Sequence, residues 1–484
     1  MIITEQNERN MRKTLLSTAG LLLSLMFVGC TSGEDLTDEG SLSLEQTQGD
    51  SEDHLFDDIK DDGKPQPIQL RSTTNNGVEV TKGTGTVGGD EVDYKWQYED
   101  VYVLMTTQEA LFKGKSKTAP TVEVDDVAKG WGFTTINLPD AGREFFPDYG
   151  YQFDNTFWCR PEDDGEGSFN VNYVIDPRSK GAMRYYPTQG KSHFFAYHVD
   201  DAYVAKDAAG SPKLKRDNTE KPTKMMLDFK IDGSQDLLSG YASADYHGTT
   251  VRKFDAKSAR AGVIPVLGMD HMLTRFRFKL TTSDLNNTGD ASVFGVPGKS
   301  SAVTIDSIKV LSHSKGTMTV ACKDLDGYPA ADDRITWDMT VKDSLFLQQL
   351  SGTPATLDDG KQPLVELVPV TMTKEEFWDE TAHRYLAKPI GESILVEPNQ
   401  TEYELFLYTS QTLNLSGDPA VGGPYVKKER VDLVIKSTDI PKFLRGYSYD
   451  VTIFVNSYED VKLEIKLERW QQGGGISIGG DEMD

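Results

Sequence analysis

His193 and His198 bracket two phenylalanines in the run SHFFAYHVDD, a density of imidazole that invites a metal. The run alternates like a strand, and a strand sends these two residues to opposite faces, so they cannot share one ion. The expectation is a pair of half-buried strand histidines. Glu380 and His383 would share a helix face but lack a third ligand. Asp324, Asp326 and Gly327, with Asp332 and Asp333 nearby, make an acidic loop. It lacks the third ligand position and the distal Glu of a calcium-binding EF-hand loop. A solvated turn is the reading there, with a weak surface calcium site as the alternative. Gly83, Gly85 and Gly88 match G-x-G-x-x-G in form, but the residues after them are acidic and then strand-like. The dinucleotide fingerprint needs a helix at that point, to meet the pyrophosphate. No nucleophile elbow, hydrolase triad or phosphate-binding loop is present. Carboxylate pairs are too common in so acidic a chain to mean a glycosidase. No catalytic residue, no cofactor and no metal is therefore expected, and the chain does not read as an enzyme.

Aromatic side chains are the other chemistry on offer. Trp96, Tyr98, Trp131, Phe157, Trp158 and Trp378 could form sugar-stacking platforms, although core packing explains most of them. Cys159 and Cys322 lie far apart and form no disulfide framework; two buried free thiols are expected, with a bridge between them left open.

These residues must be positioned by strands. Val461 to Glu468 reads VKLEIKLE, aliphatic on one face and charged on the other, as a half-buried strand does. Tyr403 to Tyr408, Val431 to Ile435, Val451 to Val455 and Phe276 to Leu280 read likewise. So do Val101 to Met105, Phe194 to His198 and Met226 to Phe229. Many short strands with turn signals between them predict an all-β sandwich architecture. The one clear helical stretch is Thr373 to Lys388, where Thr373 and Glu376 would form a capping box. The length suits at least two domains, and the expected division is 65–262 and 263–484.

The formal net charge of −25 excludes nucleic acid and an anionic membrane face as partners. At the other end of the chain, Arg12 and Lys13 precede a short apolar run that stops at Cys30. Residues 1–29 read as a secretory signal, with Met11 as the natural start. Phe27-Val28-Gly29-Cys30 resembles a bacterial lipobox, which makes Cys30 the lipidated residue. Thr31-Ser32-Gly33-Glu34-Asp35 resembles the acidic signal for surface export in Bacteroidetes lipoproteins. Residues 30–64 are acidic and polar, and read as a flexible tether.

A series of short motifs lies beyond the tether in order: Pro67 to Arg71, Val80 to Gly83, Lys95 to Val103, His193 to Tyr197, Asp270 to Phe278, Ile305 to Val310, Arg445 to Ile453, and a terminal strand with Trp470 and a Gly-rich tail. The series resembles the fimbrillin family of Bacteroidetes, subunits of type V pili and related surface lipoproteins. That resemblance implies two tandem transthyretin-like β-sandwich domains. It also implies an assembly route, in which an arginine-specific protease removes the tether and first strand, and a strand from the next subunit's C-terminal region fills the groove. Arg71 is the candidate cleavage site. Ile476 and Ile478, which alternate in the Gly-rich tail, are the candidate donor residues. Asp306-Ser307-Ile308 and Asp343-Ser344-Leu345 match the tripeptide that Bacteroidetes O-glycosylate, making Ser307 and Ser344 candidate sites. The implied partners are other fimbrial subunits, the outer membrane through the lipid on Cys30, and a receptor that the sequence does not identify. A second function stays open on the same sequence: a surface lipoprotein that captures glycan for polysaccharide uptake.

Overall fold

The computed structural model describes residues 54–60, 66–74, 101–111, 157–163, 169–173, 189–199, 223–282, 301–351, 364–413, 424–436, 440–456 and 461–469, with a few short pieces between them. Cys30, Ile476 and Ile478 lie outside the described residues. The fold is all-β, and each of the strands read from sequence is present, most of them longer than the alternation alone marks.

One group of strands pairs in a closed circuit. Leu238–Tyr246 pairs with Val266–His271, which pairs with Leu70–Thr74, and that strand pairs in turn with Phe169–Tyr173. The circuit continues through Phe157–Asp163, Val101–Leu111 and Gln189–His198, which returns to Leu238–Tyr246. Alternate residues fill one core: Leu70, Val101, Val103, Met105, Phe194, Ala196, Leu267 and Met269, with Ile68 and Phe254. The opposite face carries Tyr102, Leu104, Phe195 and Tyr197 into a second core. Gln189–His198 therefore buries both of its faces. His193 and His198 are each only 3% exposed, where the sequence predicted half-burial. A strand with apolar residues on both faces signals this only when the second covering layer is known.

That layer is a four-stranded sheet of Leu214–Arg216, Lys224–Lys230, Lys315–Cys322 and Ile335–Trp337. Met225, Leu227, Phe229, Met318 and Val320 point from it into the second core. Its strands come from both sides of residue 262, so strand pairing crosses the division expected there. Gly262 itself terminates the helix Ala256–Arg260, at φ 79°, where glycine is the unstrained choice.

The same core runs on between two further sheets. One has the order Lys388–Val396, Thr274–Thr281, Tyr447–Val455, Val461–Arg469. The other is built from Lys342–Phe346, Thr304–His313, Tyr403–Leu413 and Tyr425–Ile435, with Val370–Thr371 on Thr304–His313. Phe276, Tyr403, Phe443 and Tyr449 meet between them, with ring centroids 4.9 to 6.0 Å apart. This is a β-sandwich with an aromatic centre.

The expected helix over 373–388 is instead one turn, Lys374–Phe377, and then a hairpin that pairs Trp378–Asp379 with Arg384–Tyr385. The Asp379 carboxylate accepts from the Thr381 and Ala382 N–H groups at 2.9 and 3.0 Å. An Asx turn of this kind competes with helix for the same backbone donors. Thr373 makes no side-chain cap bond, and Trp378 packs edge-on against Tyr385 across the hairpin.

The tether also ends earlier than 64. Phe56 is 5% exposed and belongs to the first core, with Leu55 and Ile59 packed beside it. Its ring lies 5.1 Å from that of Tyr246. Glu52 accepts from the Lys253 N–H at 2.6 Å, and Arg260 donates to the Lys64 carbonyl at 2.8 Å. Three apolar residues within Leu55 to Ile59 suffice to seat this piece.

Candidate functional site: the seat of the first strand

Leu70–Thr74 is held on both edges. On one side Arg71 to Thr74 run parallel to Val266 to Met269. On the other, Leu70 to Ser72 run antiparallel to Val171 to Phe169. The Arg71 N–H donates to the Pro265 carbonyl at 2.9 Å, and the Tyr186 N–H to the Gln66 carbonyl at 3.0 Å. Two side chains drive the strand into place. Ile68 is fully buried and Leu70 is 3% exposed, and both sit among Phe194, Phe254 and Leu267. Burying the pair is worth about 3–6 kcal/mol.

The seat is rimmed by the helix Ala256–Arg260. Asp255 and Ser258 form a full capping box there, with the Ser258 N–H on the Asp255 carboxylate at 2.7 Å. Between the lead-in and the residues after this helix lies a cleft of about 150 Å³, lined by Gln66, Pro67, Gln69, Tyr186, Gly262 and Val263. Packing around the lead-in is therefore looser than around Ile68 and Leu70. Outside the seat, the Asp57 carboxyl is held below its usual range, chiefly by its hydrogen bond from His54.

Arg71 lies inside the strand, not just beyond it, and its side chain is half-buried. A backbone paired on both sides is not in the extended, free form that a protease grips, so cleavage there requires the strand to lift first. The sequence did not mark Val266–His271 as the partner of this strand; its reading VLGMDH has Gly268 breaking the alternation.

The other sequence-derived candidates are scattered. Ser344 is exposed on Lys342–Phe346, opposite Leu311. Ser307 is half-buried on Thr304–His313 beside Tyr408. Both belong to the same five-stranded sheet, on which the Lys309 ammonium lies 4.5 Å from the Phe346 ring and 4.4 Å from the Tyr408 ring. Cys322 is a free, buried thiol that donates to the Gly327 carbonyl at 3.0 Å, and burial pushes its pKa up to about 12. Asp324 accepts from the Gly327 N–H at 2.9 Å, closing the acidic loop as a turn. His383 and Glu380 are exposed. Among the described residues, no group of three or more His, Cys, Asp or Glu could hold a metal ion.

No family model matches the chain, and no curated protein matches it. Several solved structures do. A "putative cell adhesion protein" from Bacteroides eggerthii is 12% identical over 85% of this chain and 98% of its own, with a TM-score of 0.33. A "putative adhesin" from Bacteroides thetaiotaomicron is 10% identical over 84% of this chain and 98% of its own, also at 0.33. The fimbrial anchor protein Mfa2 from Porphyromonas gingivalis is 9% identical over 84% of this chain and 99% of its own, at 0.26. The functional reading rests on the residues and geometry of this chain.

Proposed function

We propose that the chain is a fimbrial subunit of a Bacteroidetes cell surface, serving adhesion and assembling head-to-tail by strand addition. The observation that carries this reading is the seat of Leu70–Thr74, a short strand in the middle of a closed circuit of pairings, plugged by Ile68 and Leu70. Its loss would open two sheet edges at once and uncover an apolar slot, a surface that a foreign strand completes. Cleavage after Arg71 would free Ile68 and Leu70 and leave Ser72 to Thr74 behind. A heterologous contact of this kind propagates into a filament. In this reading the subunit reaches the surface lipidated at Cys30, and the tail carrying Ile476 and Ile478 is the donor. Ser344 is the more accessible of the two serines for a glycan.

The test is deletion of the residues after Trp470 from the chain expressed in its native cell. The expected result is folded monomer with no surface polymer. Polymers of normal length from the truncated chain would overturn the donor assignment.

A further inference from the structure

A second cavity of about 150 Å³ opens beside the larger core, where Asp332, Trp337, Glu397, Asn399, Gln400 and Arg445 converge. Met272 and Ile335 add apolar lining. The polar groups here are fixed in advance. Glu397 is 4% exposed. One of its carboxylate oxygens accepts from Gln400 Nε2 at 3.0 Å, and the other is bonded to His313 Nδ1. Its N–H donates to Ser312 Oγ at 3.1 Å, and its carbonyl accepts from the Tyr403 hydroxyl. Arg445 Nε donates to Asp332 at 2.6 Å, with Asp270 3.9 Å from the guanidinium. The Trp337 ring is set edge-to-face against Phe229 at 5.3 Å. Asn399 sits at φ 64°, pinned by its N–H on the Phe443 carbonyl at 2.6 Å. Its carboxamide makes no hydrogen bond among the described residues.

We infer that this cavity binds one neutral sugar ring. An indole offers a partner to the apolar C–H face of a pyranose. Carboxylate, carboxamide and guanidinium groups are planar and bidentate, and so suit pairs of neighbouring hydroxyls. Arg445 is already paired with Asp332, and the Glu397 carboxylate is hydrogen-bonded by Gln400 and His313, so the lining leaves no lone cation to attract an anionic ligand. Its volume is below the roughly 300–1,000 Å³ of pockets for larger ligands, which limits the occupant to a single ring. The inference goes beyond the fimbrial reading and does not depend on it, because no residue lining this cavity belongs to the core or the cleft that seats the first strand.

The experiment is saturation-transfer NMR on the full chain with the methyl glycosides of glucose, galactose, mannose and N-acetylglucosamine, and with methyl glucuronide as the charged control. At least one neutral glycoside is expected to receive saturation, and the glucuronide less or none. Trp337→Ala should abolish the transfer. Asn399→Gly removes the CH2–carboxamide side chain and suits the left-handed backbone, so it should fold normally and weaken binding about fivefold. Silence from all four neutral glycosides would overturn the proposal. So would binding unchanged in Asn399→Gly, or binding of the glucuronide alone.

Discussion

Leu70–Thr74 and Val461–Arg469 lie near opposite ends of the described chain and are held differently. The early strand touches two neighbours over short registers, one of them parallel, a pairing slightly weaker per residue. The late strand pairs with one neighbour along its whole length, from Val461 opposite Val455 to Arg469 opposite Tyr447. Val461, Leu463 and Ile465 pack on the larger core. Loss of the early strand leaves two open edges in the middle of a circuit; loss of the late one strips a margin from a sandwich. A strand that is short, interior and seated by two side chains suits replacement by another strand. A long antiparallel edge strand suits permanence.

Truncation is the harshest way to break this contrast. A chain ending at Asp460 should lose roughly 5 kcal/mol or more, and fail to give a cooperative thermal transition by circular dichroism. A chain beginning at Ser72 should keep its transition and associate instead, visible by light scattering. Next in size, Phe276→Ala in the aromatic centre should cost about 3–5 kcal/mol in urea unfolding, without changing association. His193 gives a pH signature in the strand that both cores cover. Burial pushes its pKa down to about 4, since its charged form is poorly solvated there. The unfolded chain then binds the extra proton between roughly pH 6.5 and 4, so stability is full above 6.5 and falls as pH drops through that window, by about 3 kcal/mol. His193→Gln should flatten that slope in denaturant titrations. The smallest effect is Leu70→Ala, about 2–3 kcal/mol, read as faster amide exchange confined to the seat.

Strands are legible in the sequence wherever one face is buried and the other wet. VKLEIKLE and FRFKL announce themselves because every second residue meets water or a partner charge, as Arg277 and Lys279 meet Asp450 at 2.7 and 2.5 Å. Gln189–His198 hid its burial because its second face meets another sheet. The helix at 373–388 had the right periodicity and lost to a single carboxylate, Asp379. Phe56 was missed because three apolar residues are too few to show against an acidic run. The seat of the first strand is partly legible: the PIQL of Pro67 to Leu70 reads as extended, but its partner, far along the chain by the pairing of Arg71 with Val266, gives no local sign. The sugar cavity is assembled from four separated stretches, so no spacing announces it.

Exchange of the first strand during assembly has a direct chemical signature. It is read from the N-terminal sequence and intact mass of the chain recovered from surface polymers of the native cell. Exchange predicts a start at Ser72, with Ile68 and Leu70 gone from every polymerised subunit. Polymers whose subunits still carry residues 66–74 would contradict it.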